Sequence, residues 1–174
     1  MFKSIIVLAA LFLSVCVFAA DDERTVFENS VLLNILREPS ELVKDATDTD
    51  ENLVMSFRIS FKTRNKEELR ARAEKGERIS NADLKEKYLP LDADMDIVVK
   101  YLKDSGFEVK KSLLGVSAKG KVSLIEKILD VKFKDVKIEG ETYHWIINAP
   151  SLPKSISEPV LGVLGLQDFP LRRH

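Results

Sequence analysis

The sequence predicts an α+β domain, an antiparallel sheet with two main helices on one face. Three observations predict it. From residue 54 onward, segments of period two alternate with segments of period 3.6. The apolar residues of the helical segments fall on one stripe, as in helices with one face on a core. The strand-like segments are short, and two pairs of them are separated by turns of only a few residues.

The elements follow in order. Met55, Phe57, Ile59 and Phe61 alternate with Ser56, Arg58, Ser60 and Lys62, which predicts a half-buried strand. Asn65-Lys-Glu-Glu68 has the form of a capping box, with Glu68 reaching back, opening a helix that runs to Lys75 and stops at Gly76. Ser80-Asn-Ala-Asp83 opens a second, short helix to Tyr88, and Pro90 ends it. The span from Asp92 to Ser105 predicts the longest helix, with Ile97, Val98, Tyr101 and Leu102 on one face and Gly106 as its stop. Phe107–Val109 and Leu113–Ala118 read as a hairpin. Lys121–Val131 reads as the second main helix, apolar at Leu124, Ile125, Ile128 and Leu129. A second hairpin joins Phe133–Ile138 to Tyr143–Ile147 through a turn at Glu139-Gly140. Pro150-Ser-Leu-Pro153 reads as a loop, Ile156–Val160 as one helical turn, and Val160–Leu166 as a buried strand. The order is βα(ββ)αβ with decoration. That is the split-βαβ, ferredoxin-like arrangement. Its second sheet face stays wet, or free for a partner.

The rest of the 174-residue chain reads differently. Met1–Ala20 carries Lys3, then an apolar run from Ile5 to Phe18, then small residues and an acidic start at Asp21. This is the layout of a secretory signal peptide, residues 1–19, cleaved after Ala19. The run is too short for a comfortable membrane span, which needs about 20 residues. Cleavage removes Cys16, the one cysteine, and Lys3, taking 27 basic residues to 26 against 28 acidic ones. The expected product is a near-neutral, secreted domain with no disulfide, off the membrane, in the medium or in the lumen of an acidic secretory or lysosome-like compartment. Residues 20–52 form an acidic extension. Val26, Phe27, Val31, Leu32, Ile35 and Leu36 would make a helical stripe ended by Pro39, and residues 45–52 a solvated linker. The domain itself is expected over residues 53–168, followed by a basic tail, 169–174.

Motifs for chemistry are weak. Counting from Asp48, a calcium loop needs Gly sixth and Glu twelfth, where the chain has Leu53 and Ile59. Gly115-Val-Ser-Ala-Lys-Gly120-Lys121 has phosphate-loop spacing, but Val122 stands where a magnesium-binding hydroxyl belongs, so a tight turn into a helix is expected. His144 has no second ligand at metal spacing, and His174 lies at the terminus. No serine has a base and an oxyanion hole in evidence. Trp145 reads as hairpin core. Lys110-Lys111 and Arg172-Arg173 are too short for a nucleic-acid footprint. The expectation is a binding protein with no catalytic residue, no cofactor, no metal and no nucleic-acid partner.

Several segments carry a resemblance. They are the opening strand Leu53–Phe61, the helix start Ser80-Asn-Ala-Asp-Leu-Lys-Glu-Lys-Tyr88, and the run from Asp92 through Gly106 to Val109. Leu124–Phe133 is a further one. The most specific are Ala149-Pro-Ser-Leu-Pro153 and Val160-Leu-Gly-Val-Leu-Gly-Leu-Gln-Asp-Phe-Pro170. Together they resemble the activation (pro) domain of the sedolisin, or kumamolisin-type, serine-carboxyl peptidases. Gln167-Asp168 replaces the family's usual Asp-Asn pair, and the hairpin after Phe107 is shorter than usual. The peptidase domain that follows in the family, with its Ser, Glu and Asp catalytic residues, has no counterpart before His174, so its activity is not carried over.

The resemblance implies a fold like that of subtilisin-type prodomains. It also implies a role as inhibitor or folding assistant of a secreted serine-carboxyl peptidase, with the open sheet face on the enzyme and the C-terminal segment in its cleft. Gln167, Asp168, Phe169, Pro170, Leu171 and Arg172 are then the partner-binding residues. Phe169 and Leu171 would fill pockets, and Pro170 would resist cleavage. Two alternatives stand beside this reading: a truncated fragment of such a proenzyme, and a secreted ferredoxin-like module for an unrelated partner.

Overall fold

In the computed structural model, residues 23–30, 46–138 and 140–168 are described. The central sheet is built on β3 (Val54–Phe61), whose alternation puts Phe57, Ile59 and Phe61 on the buried face. β3 pairs antiparallel with β5 (Gly115–Lys121) on one side and β9 (Val160–Leu164) on the other, and β4 (Glu108–Ser112) completes the order β4-β5-β3-β9. Within the βα(ββ)αβ succession this places the last strand beside the first and the first beside the third. That is the ferredoxin-like order expected from the sequence.

The helices between these strands are α1 (Lys66–Glu74), α2 (Asn81–Asp83, continued as a π turn over Leu84–Tyr88), α3 (Asp92–Asp104) and α4 (Val122–Leu129). α3 buries Met95, Val98 and Leu102, and α4 buries Val122, Ile125 and Leu129. Both sets follow helical spacing. With the β3 side chains, Val116 and Ala118 they form one core, in which the Phe57 and Phe107 rings meet edge to face at 5.3 Å.

The second hairpin stands outside the central sheet. β6 (Phe133–Ile138) and β7 (Glu141–Ile146) pair with each other, and β2 (Thr47–Asp48) adds a short third strand to β6. Phe133 and Ile146, opposite each other, enter the main core, and Trp145 is buried as expected. A two-stranded ribbon joins β1 (Arg24–Val26) to β8 (Ser151–Pro153), followed by the short helix α5 (Lys154–Ser157).

Several local expectations change. Asn65 does not cap α1: it sits at φ +46°, and its amide donates to the Lys87 carbonyl. Glu68 instead accepts from the hydroxyl of the fully buried Tyr88, which also accepts from Arg72. A helix that buries none of its own residues is thus tied down by charge-assisted hydrogen bonds. Ser80 does cap α2, accepting from the Asp83 amide. Ile97, expected on the α3 core face, is 53% exposed, because the buried stripe runs through Met95 rather than Ile97. Gly115–Lys121 is a strand and not a turn, and residues 151–153, read as a loop, are strand. Val26 lies in a strand rather than a helix; Val31, Leu32, Ile35 and Leu36 lie outside the described residues, as do residues 1–22 and 169–174. The linker reading of 45–52 gives way at Thr47–Asp48, which pair with β6, and at Thr49, which is buried and donates to the Asp135 carboxylate.

The N-terminal segment is packed onto the sheet. Phe27 is buried in the main core, and its amide donates to the Pro150 carbonyl. The Ser30 hydroxyl accepts from the Val163 amide at 2.8 Å, so the outer edge of β9 is capped there. The Arg24 guanidinium donates to the carbonyls of Ile128 and Ser151.

Candidate partner interface

The face of the central sheet away from α3 and α4 carries no covering element among the described residues. Period two decides which side chains point there. β3 contributes Val54, Ser56, Arg58 and Ser60; β5 contributes Ser117, Lys119 and Lys121; β4 contributes Glu108, Lys110 and Ser112; β9 contributes Leu164. Serines and Gly115 line the middle of this face, and the Arg58 guanidinium lies across it, over Gly115 and donating to Ser112. Val54 and Leu164, 52% and 50% exposed, flank it.

Lys110 and Lys111, adjacent in sequence, split across the sheet. Lys111 turns to the helix side and bridges Asp92 and Asp96 on the first turns of α3, at 2.8 and 2.7 Å. Its ammonium, chiefly by hydrogen bonding and then by charge, holds the Asp92 carboxyl below its ordinary 3.8, while Asp92 and then Asp96 raise Lys111 above its ordinary 10.5. Asp48 is likewise lowered, first by its hydrogen bond from Lys134. Both carboxylates support the fold above about pH 4 and lose that support as pH falls through their lowered values; Lys111 does so below its ordinary value and loses it as pH rises past its raised one. All three are solvent-exposed, so the effect on stability is small. The expected result of an NMR titration is an Asp92 midpoint below 3.8 that returns to about 3.8 in Lys111→Ala. An unchanged midpoint in the variant would disprove the pairing.

The C-terminal segment leaves the sheet from a fixed root. Gly165, at φ +81°, turns the chain after β9, and Leu166 is buried in the core. The Asp168 amide donates to the His144 carbonyl at 3.0 Å, and the Gln167 side chain donates to the Ile146 carbonyl. Of the six tail residues expected to bind a partner, Gln167 is half-buried on β7 and Asp168 is exposed; Phe169, Pro170, Leu171 and Arg172 lie outside the described residues. His144 lies 2.9 Å from Asp135, directly opposite it in the hairpin. That pairing was hidden in the sequence, since it depends on hairpin register.

Among the described residues, no group of three His, Cys, Asp or Glu side chains could hold a metal ion, and no helix is long and apolar enough to cross a membrane. A shallow groove lies between α2, the start of α3 and the β4–β5 turn, lined by Arg64, Leu89, Leu91, Met95 and Leu113. Arg64 is spent there on the carbonyls of Glu86 and Leu89.

Residues 42–169 match the family model described as the pro-kumamolisin activation domain. None of the curated proteins matches the chain. The family match spans the whole of the central sheet, both main helices and the second hairpin, most of the chain, and on that ground this protein belongs to the pro-kumamolisin activation-domain family.

Proposed function

We propose that this chain is a secreted prodomain that acts in trans on a serine-carboxyl peptidase, as an inhibitor and folding assistant. The observation that carries the reading is the family match over residues 42–169. The reading needs no catalytic residue in the chain itself. The sheet face docks on the enzyme, and the segment after Asp168 enters the substrate cleft as an extended peptide, held by main-chain hydrogen bonds and side-chain pockets. Anchoring of Leu166 and Asp168 supports this use of the tail, because a segment fixed at its root loses less freedom on binding than a free peptide. Phe169 and Leu171 are the proposed pocket fillers, Pro170 the barrier to cleavage, and Gln167, Asp168 and Arg172 the polar contacts beside them. The signal-like composition of residues 1–19 supports secretion into the medium or an acidic lumen.

Two experiments test it. Pull-down from the secreted fraction of the source organism is expected to recover a serine-carboxyl peptidase, and recovery of none would overturn the assignment. A chain ended after Asp168 keeps every anchor described above and lacks only 169–174. Its inhibition constant is expected to rise about tenfold or more, which corresponds to about 1.4 kcal/mol. An unchanged constant would remove the tail from the mechanism.

A further inference from the structure

The free sheet face is basic, although the chain as a whole is near neutral. Strand register assembles this charge. Lys119 stands between Ser56 on β3 and Glu108 on β4, Lys121 lies opposite Val54, and Ser117 separates Arg58 from Lys110. The face therefore holds four cations, Arg58, Lys110, Lys119 and Lys121, against the single carboxylate of Glu108. None of the four is ion-paired among the described residues. Arg58 donates to Ser112, and Lys121 donates to Asn52, both neutral partners. By contrast Lys111, Lys132 and Lys134, on other faces, each have a carboxylate within 4.0 Å. Other exposed cations such as Lys66, Lys75 and Lys103 also lack a carboxylate partner among the described residues, but strand register gathers four such cations on this one face.

We propose that this face binds a carboxylate-rich surface of the partner protein, so that the carboxylates meeting across this face, Glu108 apart, belong to the partner. The proposal rests on the prodomain reading above and names the chemistry of the surface it docks on. A nucleic-acid backbone is uniformly anionic and would set a phosphate against Glu108; a protein surface can offer a cation or hydroxyl there while meeting the four cations with Asp and Glu, and a lipid surface is distinguished by vesicle binding. Val54 and Leu164 at the flanks also suit a protein surface with apolar side chains beside the acids. The groups facing those acids are Arg58 from β3, Lys110 and Glu108 from β4, and Lys119 and Lys121 from β5; β9 contributes none. A carboxylate held by such cations has a lowered pKa in the complex, so it favours binding above its free value near 4 and ceases to do so as pH falls through the lowered one. Acidification therefore weakens the contact at this face through the partner's carboxylates.

The test uses the full chain with Lys119→Glu and Lys121→Glu together, and a control with the same change in net charge, Lys75→Glu and Lys103→Glu, on exposed positions away from this face. The probe is the mature serine-carboxyl peptidase of the same organism, with binding measured at low and at high salt and folding checked by circular dichroism. Reversal on the sheet face is expected to weaken binding about 100-fold at low salt, since like charges brought together across an interface repel strongly. The control pair is expected to bind as the unaltered chain does, and the unaltered chain to weaken with salt. If the unaltered chain binds and the sheet-face variant binds equally well, the acidic-surface proposal falls while the prodomain reading stands. If the unaltered chain does not bind, both fall. Binding of the chain to phosphatidylserine vesicles that is lost in the sheet-face variant would assign the face to a membrane and overturn the proposal.

Discussion

Gly115→Ala is expected to lower the stability of the domain by about 3 kcal/mol, read as a fall in the denaturant midpoint. A methyl group at this position would lie 2.5 Å from the Ile59 carbonyl oxygen and 2.9 Å from the Arg58 Nε. The first of these atoms is backbone in the central strand, which is paired on both sides by β5 and β9 and cannot yield without opening the sheet. Gly120 is a softer case. A methyl group there would meet the Phe107 ring at 2.6 Å, and a ring can swing, although this one is packed edge-on against Phe57. The two glycines with phosphate-loop spacing thus have a packing reason: they let β3, β5 and the Phe107 ring come close. A Gly115→Ala chain as stable as the parent would show that the strands are further apart than described.

The second large effect is expected at the N-terminal segment. Phe27→Ala removes a buried ring from the main core and should cost about 3–5 kcal/mol. Ser30→Ala leaves the Val163 amide, buried at the edge of β9, without its acceptor, a loss of about 1–3 kcal/mol. Either is a large share of a total stability of about 5–15 kcal/mol. Deleting residues 23–30 removes both, with the β1–β8 pairing and the Arg24 hydrogen bonds. A chain that begins at residue 42, where the family match starts, is therefore expected to unfold well below the temperature of the longer chain, or to lack a cooperative transition. Equal midpoints for the two would show that the segment is dispensable. This matters for the interface as well: β9 leads into the C-terminal root, and the segment that caps β9 comes from the other end of the molecule.

What could be read from the sequence was what neighbouring residues decide. The alternation from Met55 to Phe61, the stripe of α4 and the turn between β6 and β7 are local signals, and their succession was enough for the order of the central sheet. What could not be read depends on partners far along the chain. Arg24 pairs opposite Pro153, Thr49 reaches Asp135, and Asp48 meets Lys134; each looked like solvated extension or linker because its partner lies about a hundred residues on. The capping box at Asn65 failed for the same reason, since Tyr88, fully buried, takes Glu68 away from it. The candidate interface was half legible. That Ser56, Arg58 and Ser60 share a face follows from period two, but that Lys110, Lys119 and Lys121 join them is a matter of register.

The central claim is that this chain occupies another protein's substrate site. Titrating a mature serine-carboxyl peptidase of the source organism with the chain, and following its cleavage of a peptide substrate, tests that claim directly. Loss of activity that is complete near one equivalent, at the highest pH the enzyme tolerates, and that returns on acidification is the result predicted. Undiminished cleavage at many equivalents, with the chain itself intact and folded, would contradict it.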